Sequence, residues 1–207
     1  MVTRRDALRR GLLACGGVAV AGCAGGGDGP LLSEGFETGL DPWETRGHVG
    51  PDAGGEFQWT VERSDAEAHE GAWSLRVFTE GRFDDGTAWA VRPIDVPAGA
   101  SGLRVSLMAW SPSESFNLLR HLVAAARPEP PETEADFPDP GANSTGIEGA
   151  PYGGLREPLH QAAGWREYGF EWTPERMPER VHLAVGVSVV WEADATHFVD
   201  EVVARTL

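Results

Sequence analysis

Along residues 103–110 apolar and polar side chains alternate, with Leu103, Val105, Leu107 and Ala109 on one side and Arg104, Ser106, Met108 and Trp110 on the other. The same period of two runs through 181–191, where Leu183, Val185, Val187, Val189 and Trp191 oppose His182, Ala184, Gly186 and Ser188. Successive side chains of a strand point to opposite faces, so both segments are predicted strands with one face on a core. Runs rich in Val, Trp, Phe and Leu at 74–79, 87–96, 117–126, 166–172 and 197–204 are separated by turn residues and are predicted strands too. Residues 118–126 also suit a short helix on propensity. No long helical stripe follows Leu31, so the pattern predicts an all-β fold, a sandwich of antiparallel sheets. The alternation breaks at about 127–158, where Pro, Glu, Asp and Gly dominate. That stretch is expected to be a long irregular loop excursion over the surface, a kind of segment that often carries function.

The opening residues follow another rule. Thr3-Arg4-Arg5-Asp6-Ala7-Leu8 precedes an apolar run over 11–22, about half of the ~20 residues a membrane-spanning helix needs. The run ends in Val20-Ala21-Gly22-Cys23, small residues ahead of a thiol. This order resembles the twin-arginine signal and lipobox of prokaryotic lipoproteins. The resemblance implies that residues 1–22 are cleaved, that Cys23 is lipidated, and that an already folded domain is exported. The domain would then be held to the outer face of the cytoplasmic membrane by its N-terminal lipid alone. Residues 23–30 read as a flexible Gly-rich tether, and 31–207 is long enough for one self-sufficient core. Both cysteines, Cys15 and Cys23, precede that domain, so it has no disulfide and no thiolate metal site.

Charge sharpens the picture. The whole chain carries −15, and removing a signal with four Arg and one Asp leaves −18 on the mature part. Nucleic acid and anionic membrane surfaces are disfavoured partners for such a chain. All 17 basic residues are Arg, although Lys is ordinarily common. Acid excess without Lys resembles the surface of proteins from salt-loving archaea, where salt screens carboxylate repulsion. A GC-rich genome that favours Arg codons predicts the same lack of Lys.

Within the domain, Glu34-Gly35-Phe36-Glu37-Thr38-Gly39 with Trp43, then Glu70-Gly71-Ala72-Trp73-Ser74-Leu75, then Gly164-Trp165-Arg166-Glu167-Tyr168, then Phe198-Val199-Asp200-Glu201-Val202 occur in that order. The ordered set resembles the jelly-roll carbohydrate-binding modules and their galactose-binding-domain-like relatives. The resemblance implies a jelly-roll β-sandwich over nearly all of 31–207 and a glycan partner, an environmental polysaccharide or an envelope glycan. It further implies a structural calcium between the first and last strands, with Glu37 and Asp200 as its carboxylates and backbone carbonyls near Gly71 completing the oxygen set. The alternative is that Glu37 caps a turn and Asp200 accepts backbone hydrogen bonds.

Sugar binding needs exposed aromatic faces with polar groups beside them. Trp43, Trp73, Trp165 and Trp172 are expected to pack. Trp89 and Trp110 are the candidate stacking platforms, with Arg104 beside Trp110 and either Arg120 or His121 on the next strand, since opposite parity lets only one face a groove. Tyr152, in the long loop, is a further candidate contact. Asn143-Ser144-Thr145 is a glycosylation sequon at Asn143. The acidic runs Asp84-Asp85 and 132–139 are expected to be solvated loops. No Gly-x-Ser-x-Gly or His-Glu-x-x-His motif occurs and the six His are scattered, so a non-catalytic module is expected. A structural or adhesive envelope protein with a protein partner is the first alternative and a sandwich-fold lyase or hydrolase the second. A buried cluster of perturbed carboxylates in a groove would favour the last.

Overall fold

The computed structural model describes residues 29–50, 55–83, 85–112, 114, 119–189 and 193–207. The expected signal, the lipobox, Cys23, and Trp191 lie outside the described residues. Eleven strands are described: β1 (Leu32–Glu34), β2 (Glu44–His48), β3 (Trp59–Ser64), β4 (Ser74–Thr79), β5 (Thr87–Asp95), β6 (Leu103–Ser111), β7 (Arg120–Arg127), β8 (Gly153–Pro158), β9 (Gly164–Trp172), β10 (Arg180–Val189) and β11 (Ala195–Thr206). A single turn of 3-10 helix at Glu134–Asp136 is the one helical element among the described residues.

Two antiparallel sheets face each other in a jelly-roll-type sandwich. One runs β3-β4-β11-β6-β9, with β1 extending it along β11; the other runs β2-β5-β10-β7-β8. The alternating positions do as the pattern predicts: Leu103, Val105, Leu107 and Ala109 of β6 and Leu183, Val185 and Val187 of β10 meet in one core with Leu75, Leu122, Phe170 and Val199. Residues 120–127 form a strand rather than a helix, because their alternate side chains Leu122, Ala124 and Ala126 fill that core.

The excursion is shorter than expected. Its last part is strand β8, which pairs with β7. Gly153 and Gly154 made the segment read as loop, but both sit in close packing: an added Cβ would collide with the Trp172 side chain at Gly153 and with the Ala124 carbonyl at Gly154. The remaining free edge of β8 is closed by the excursion itself, through Gly141 N to Arg156 O (2.8 Å), Arg156 N to Ala142 O (2.9 Å) and Ser144 N to Gly154 O (2.9 Å). Covering the edge in this way removes a template for strand addition.

Candidate binding groove

The outer face of the β2-β5-β10-β7-β8 sheet is laid out in rows by its register. One row reads Arg46, Trp89, Gly186, Val123, Arg156 across the five strands; the next reads His48, Thr87, Ser188, His121, Pro158. Directly opposed residues of an antiparallel pair share a face, so Trp89 lies between two arginines, with Gly186 beside it. A Cβ at Gly186 would approach Trp89 Cβ at 2.6 Å, which is why the small residue is needed there.

This face is not open. Residues 128–139 cross it as a strap, and three arginines from three strands hold them down. Arg46 donates to the Pro131 carbonyl (3.1 Å), Arg127 to the Asp136 carboxylate and carbonyl (both 2.7 Å), and Arg156 to Glu134 (2.6 Å). Ser188 accepts from Arg156 (2.7 Å) and donates to Glu134 (3.2 Å), while the His182 ring donates to the Pro128 carbonyl (2.8 Å). Phe137 supplies the apolar anchor, its ring edge-on to Trp89 at 5.3 Å and 73°. Together Trp89, Val91, Val123, Ala125, Phe137 and Ala184 make a second small core outside the sandwich proper. The strap folds on itself through Asp136, whose Oδ2 accepts the backbone N–H groups of Glu132 and Thr133 (3.0 and 2.9 Å) and the Thr133 hydroxyl (3.0 Å).

Beside the strap a groove of about 500 Å³ remains, lined by His48, Gly50, Asp85, Glu134, Phe137 and Arg156 among others. Here Asp85 and Glu134 meet. Burial, reinforced by the neighbouring Glu134, pushes the Asp85 carboxyl up to about 6. Burial acts to raise Glu134 as well, but its hydrogen bond from Asp85 and the Arg156 guanidinium hold it below the usual carboxylate range. Below about pH 6 the proton between them therefore resides on Asp85. Burial, with Arg156 and His160 nearby, pulls His121 down to about 4, so its ring is neutral at pH 7. The acidic runs expected to be solvated are thus structural: Glu134 and Asp136 are the strap's clamps, and Asp85 joins the first of them. A glycosidase pair stands about 5 Å apart or more, whereas Asp85 and Glu134 are in direct hydrogen-bond contact, a spacing that leaves no room for a scissile bond between them.

The expected contact residues do not gather in one place. Trp89 is fully buried beneath Phe137, so its ring face is not available in this conformation. Arg120 is also fully buried: parity turns it inward, where its guanidinium donates to Thr79 Oγ1 and Leu119 O (both 3.1 Å) and to Ala193 O. Burial pulls that guanidinium down to about 10, which leaves it charged. His121 is the one of the pair that faces outward. Trp110 and Arg104 lie on the opposite face of the sandwich, Trp110 half-buried against Phe198 (5.4 Å, 77°) and Arg104 exposed and paired with Glu171 (2.6 Å). Trp89 and Trp110 therefore cannot line one groove. Tyr152 is half-buried with Arg127 over its ring (5.4 Å), near the strap. Asn143 commits its amide nitrogen to Glu157 Oε1 (2.7 Å) and Gly169 O (3.0 Å). Missed altogether were Arg46, Arg127, Arg156 and His48, and no local motif marks them; only strand register brings them to one face.

Glu37 and Asp200 do come together, lining one cavity of about 300 Å³ with Gly35, Glu70 and Gly71. Asp200 is fully buried and accepts the backbone N–H groups of His69 (2.8 Å), Glu70 (3.1 Å) and Glu201 (2.7 Å). Glu37 Oε1 accepts those of Ala72 (2.8 Å) and Trp73 (2.9 Å), and these bonds lower its pKa. Two carboxylates in one cavity fit a hard cation in chemistry. Among the described residues no group of three His, Cys, Asp or Glu is placed to hold a metal ion, so carbonyls or water would have to complete such a set.

No protein-family model and no curated protein matches the chain. Solved structures do. The carbohydrate-binding module TmCBM61, determined with β-1,4-galactotriose, matches with a TM-score of 0.50 at 16% identity, over 84% of this chain and 95% of that one. The CBM22-1 xylan-binding domain of Paenibacillus barcinonensis Xyn10C matches with a TM-score of 0.51 at 17% identity, over 88% and 97%. The fold is that of carbohydrate-binding modules. It is shared more widely, since the K3 cleaved adhesin domain of Lys-gingipain from Porphyromonas gingivalis matches with a TM-score of 0.53 at 16% identity, over 86% and 98%. At these identities the likeness is one of fold.

Proposed function

We propose that this chain is a non-catalytic, exported and lipid-anchored surface protein whose β-sandwich binds a glycan at the outer face of the β2-β5-β10-β7-β8 sheet. The observation that carries the reading is the groove beside the strap, where His48, Asp85, Glu134 and Arg156 converge next to the aromatic pair Phe137 and Trp89. Planar charged groups recognise hydroxyls in pairs, and an apolar floor takes the sugar's C–H faces. Tyr152, half-buried with Arg127 over its ring, adds a further aromatic beside the strap. The fold shared with TmCBM61 and the xylan-binding module supports the reading. The adhesin-like match supports a second one, an adhesive envelope protein that takes a protein partner.

The test is a polysaccharide pull-down with the chain at multimolar salt. Arg156→Ala and Tyr152→Ala are each expected to weaken retention at least about tenfold, the loss of about 1.4 kcal/mol from one good contact. Trp110→Ala and Arg104→Ala, on the opposite face, serve as controls. Retention lost only in the controls would move the site to the other sheet, and no retention at all would favour the adhesive reading. The structural calcium at Glu37 and Asp200 is part of the proposal; bound there, it would tie the first turn of the chain to its last strand.

A further inference from the structure

Apart from one long contact in which the Glu134 N–H donates to His48 Nδ1 (3.5 Å), the strap accepts and the sheet donates. Glu134 and Asp136 offer carboxylates, and Pro128, Pro131 and Asp136 offer carbonyls. Arg46, Arg127, Arg156 and His182 supply the N–H groups, and these four side chains belong to four different strands. In a chain of net charge −15, this makes the covered face unusually rich in cations, each answered by the strap. The two carboxylate clamps stand on Arg156, in the row of Val123, and on Arg127 of the same strand as Val123. Four residues of strand separate those rows, about 13 Å, a distance that a chain of linked sugars bridges more naturally than one small anion.

The strap also leaves atoms of this face unanswered. Trp89 Nε1 and Arg156 Nε, both N–H donors, and the His121 Nδ1 atom are buried without a hydrogen-bond partner. Trp89 is 0% exposed. A buried polar atom left without a partner is destabilising, so these two donors and one ring nitrogen on one face mark a surface whose best partner is something other than the strap. The strap itself is lightly built. It holds one turn of 3-10 helix and is buried through only Pro131, Phe137 and Pro138, while its two ends are fixed by β7 and by the pairing of 141–144 with β8.

We infer that the strap is an intramolecular stand-in for an acidic glycan: a uronate-bearing polysaccharide displaces residues 128–139, takes their carboxylate positions on Arg127 and Arg156, and covers Trp89 with a sugar face. This rests on the glycan-binding reading above, keeps Arg156 and Trp89 as the sugar's contacts, makes Glu134 and Phe137 the cover that yields to it, and adds the ligand's charge and the strap's displacement.

The experiment uses the full chain and three probes of galacto configuration, namely neutral galactan, polygalacturonate and its methyl ester, titrated calorimetrically at fixed ionic strength. Glu134→Gln with Phe137→Ser loosens the strap without touching the arginines. The expected result is polygalacturonate binding at least tenfold tighter in the loosened variant, with both neutral probes far weaker. Equal affinity for the ester and the acid would overturn the acidic ligand while glycan binding stood. Equal affinity before and after loosening would overturn displacement. No binding of any probe would end the acidic-glycan inference and leave the glycan reading to the pull-down above. Should the double variant fail to fold, hydrogen exchange in the unaltered chain decides: saturating polygalacturonate must speed exchange of the strap amides, and slowed or unchanged exchange sinks the inference.

Discussion

Asp200 sits where β11 slips its register against β6, between the pairs Asp200–Met108 and Val203–Ser106. The extra residue of this bulge is accommodated with Glu201 at a φ of +47°, a left-handed conformation that a non-Gly residue adopts only under local compulsion. The bulge turns a strand carboxylate toward the loop at His69–Glu70, and three backbone N–H groups converge on it. Replacing Asp200 by Ala orphans those donors, a loss of about 3 kcal/mol or more; Asp200→Asn, which keeps one acceptor oxygen, is expected to lose roughly half as much in denaturant melts. If calcium also sits there, a chelator at matched ionic strength lowers the melting temperature of the unaltered chain and leaves Asp200→Ala unmoved. An unmoved unaltered chain would leave Asp200 as a hydrogen-bond acceptor alone. Asn143 follows the same logic in reverse. Glycosylation needs its amide nitrogen, which the fold has already spent, so intact mass of the protein isolated from its own host is expected to show no added sugar at that sequon.

At the scale of elements, the strap is expected to respond to pH through Asp85. Its carboxyl is raised from 3.8 to about 6 in the folded chain. A group whose folded pKa is raised contributes stability that is full below its unfolded pKa and lost as pH rises through the folded one. Strap docking should therefore be firmest near pH 4 and loosen through pH 6, where a second charge appears against Glu134, with His48 only partly offsetting it. Hydrogen exchange of 132–137, corrected for intrinsic rate, should quicken across that interval and stay level in Asp85→Asn, whose amide still donates to Glu134. A level profile in both would remove the shared proton from the strap's energetics. None of this was legible along the chain. The central strands β4, β5, β6, β7, β10 and β11 announce themselves because each is flanked by neighbours and fills a core, and the edge strand β9 does so because Tyr168, Phe170 and Trp172 alternate into that core. By contrast β2 and β3 are edge strands whose mixed polar sequences, Glu44-Thr45-Arg46-Gly47-His48 above all, satisfy only one partner. The polar side of β10 reads as solvent-facing by alternation, yet Ala184, Gly186 and Ser188 are buried. Alternation reports which face meets the core and cannot report that a distant acidic loop returns to cover the other.

For the molecule as a whole, a net charge of −15 sets the cost of compaction. The core itself is ordinary, two sheets closed on Leu, Val and aromatic side chains, and it carries two buried bases at one end. His197 is pulled down to about 3 by burial and by Arg120, so it stays neutral wherever the fold persists, and Arg120 is satisfied by Thr79 and by carbonyls. Stability at low salt is then limited less by the interior than by repulsion among surface carboxylates, whose range shrinks from about 10 Å at 0.1 M salt to about 3 Å at 1 M. The melting temperature should climb steeply with KCl up to about 1 M and flatten beyond, as screening becomes complete. Salts also strengthen apolar burial by exclusion from the surface, an effect that continues to grow with concentration and is shared by uncharged osmolytes. Sucrose matched in osmolality separates the two. If it reproduces the KCl curve, the acidic surface carries no special penalty; if KCl alone yields the early rise, charge screening is what the sequence's acidity demands.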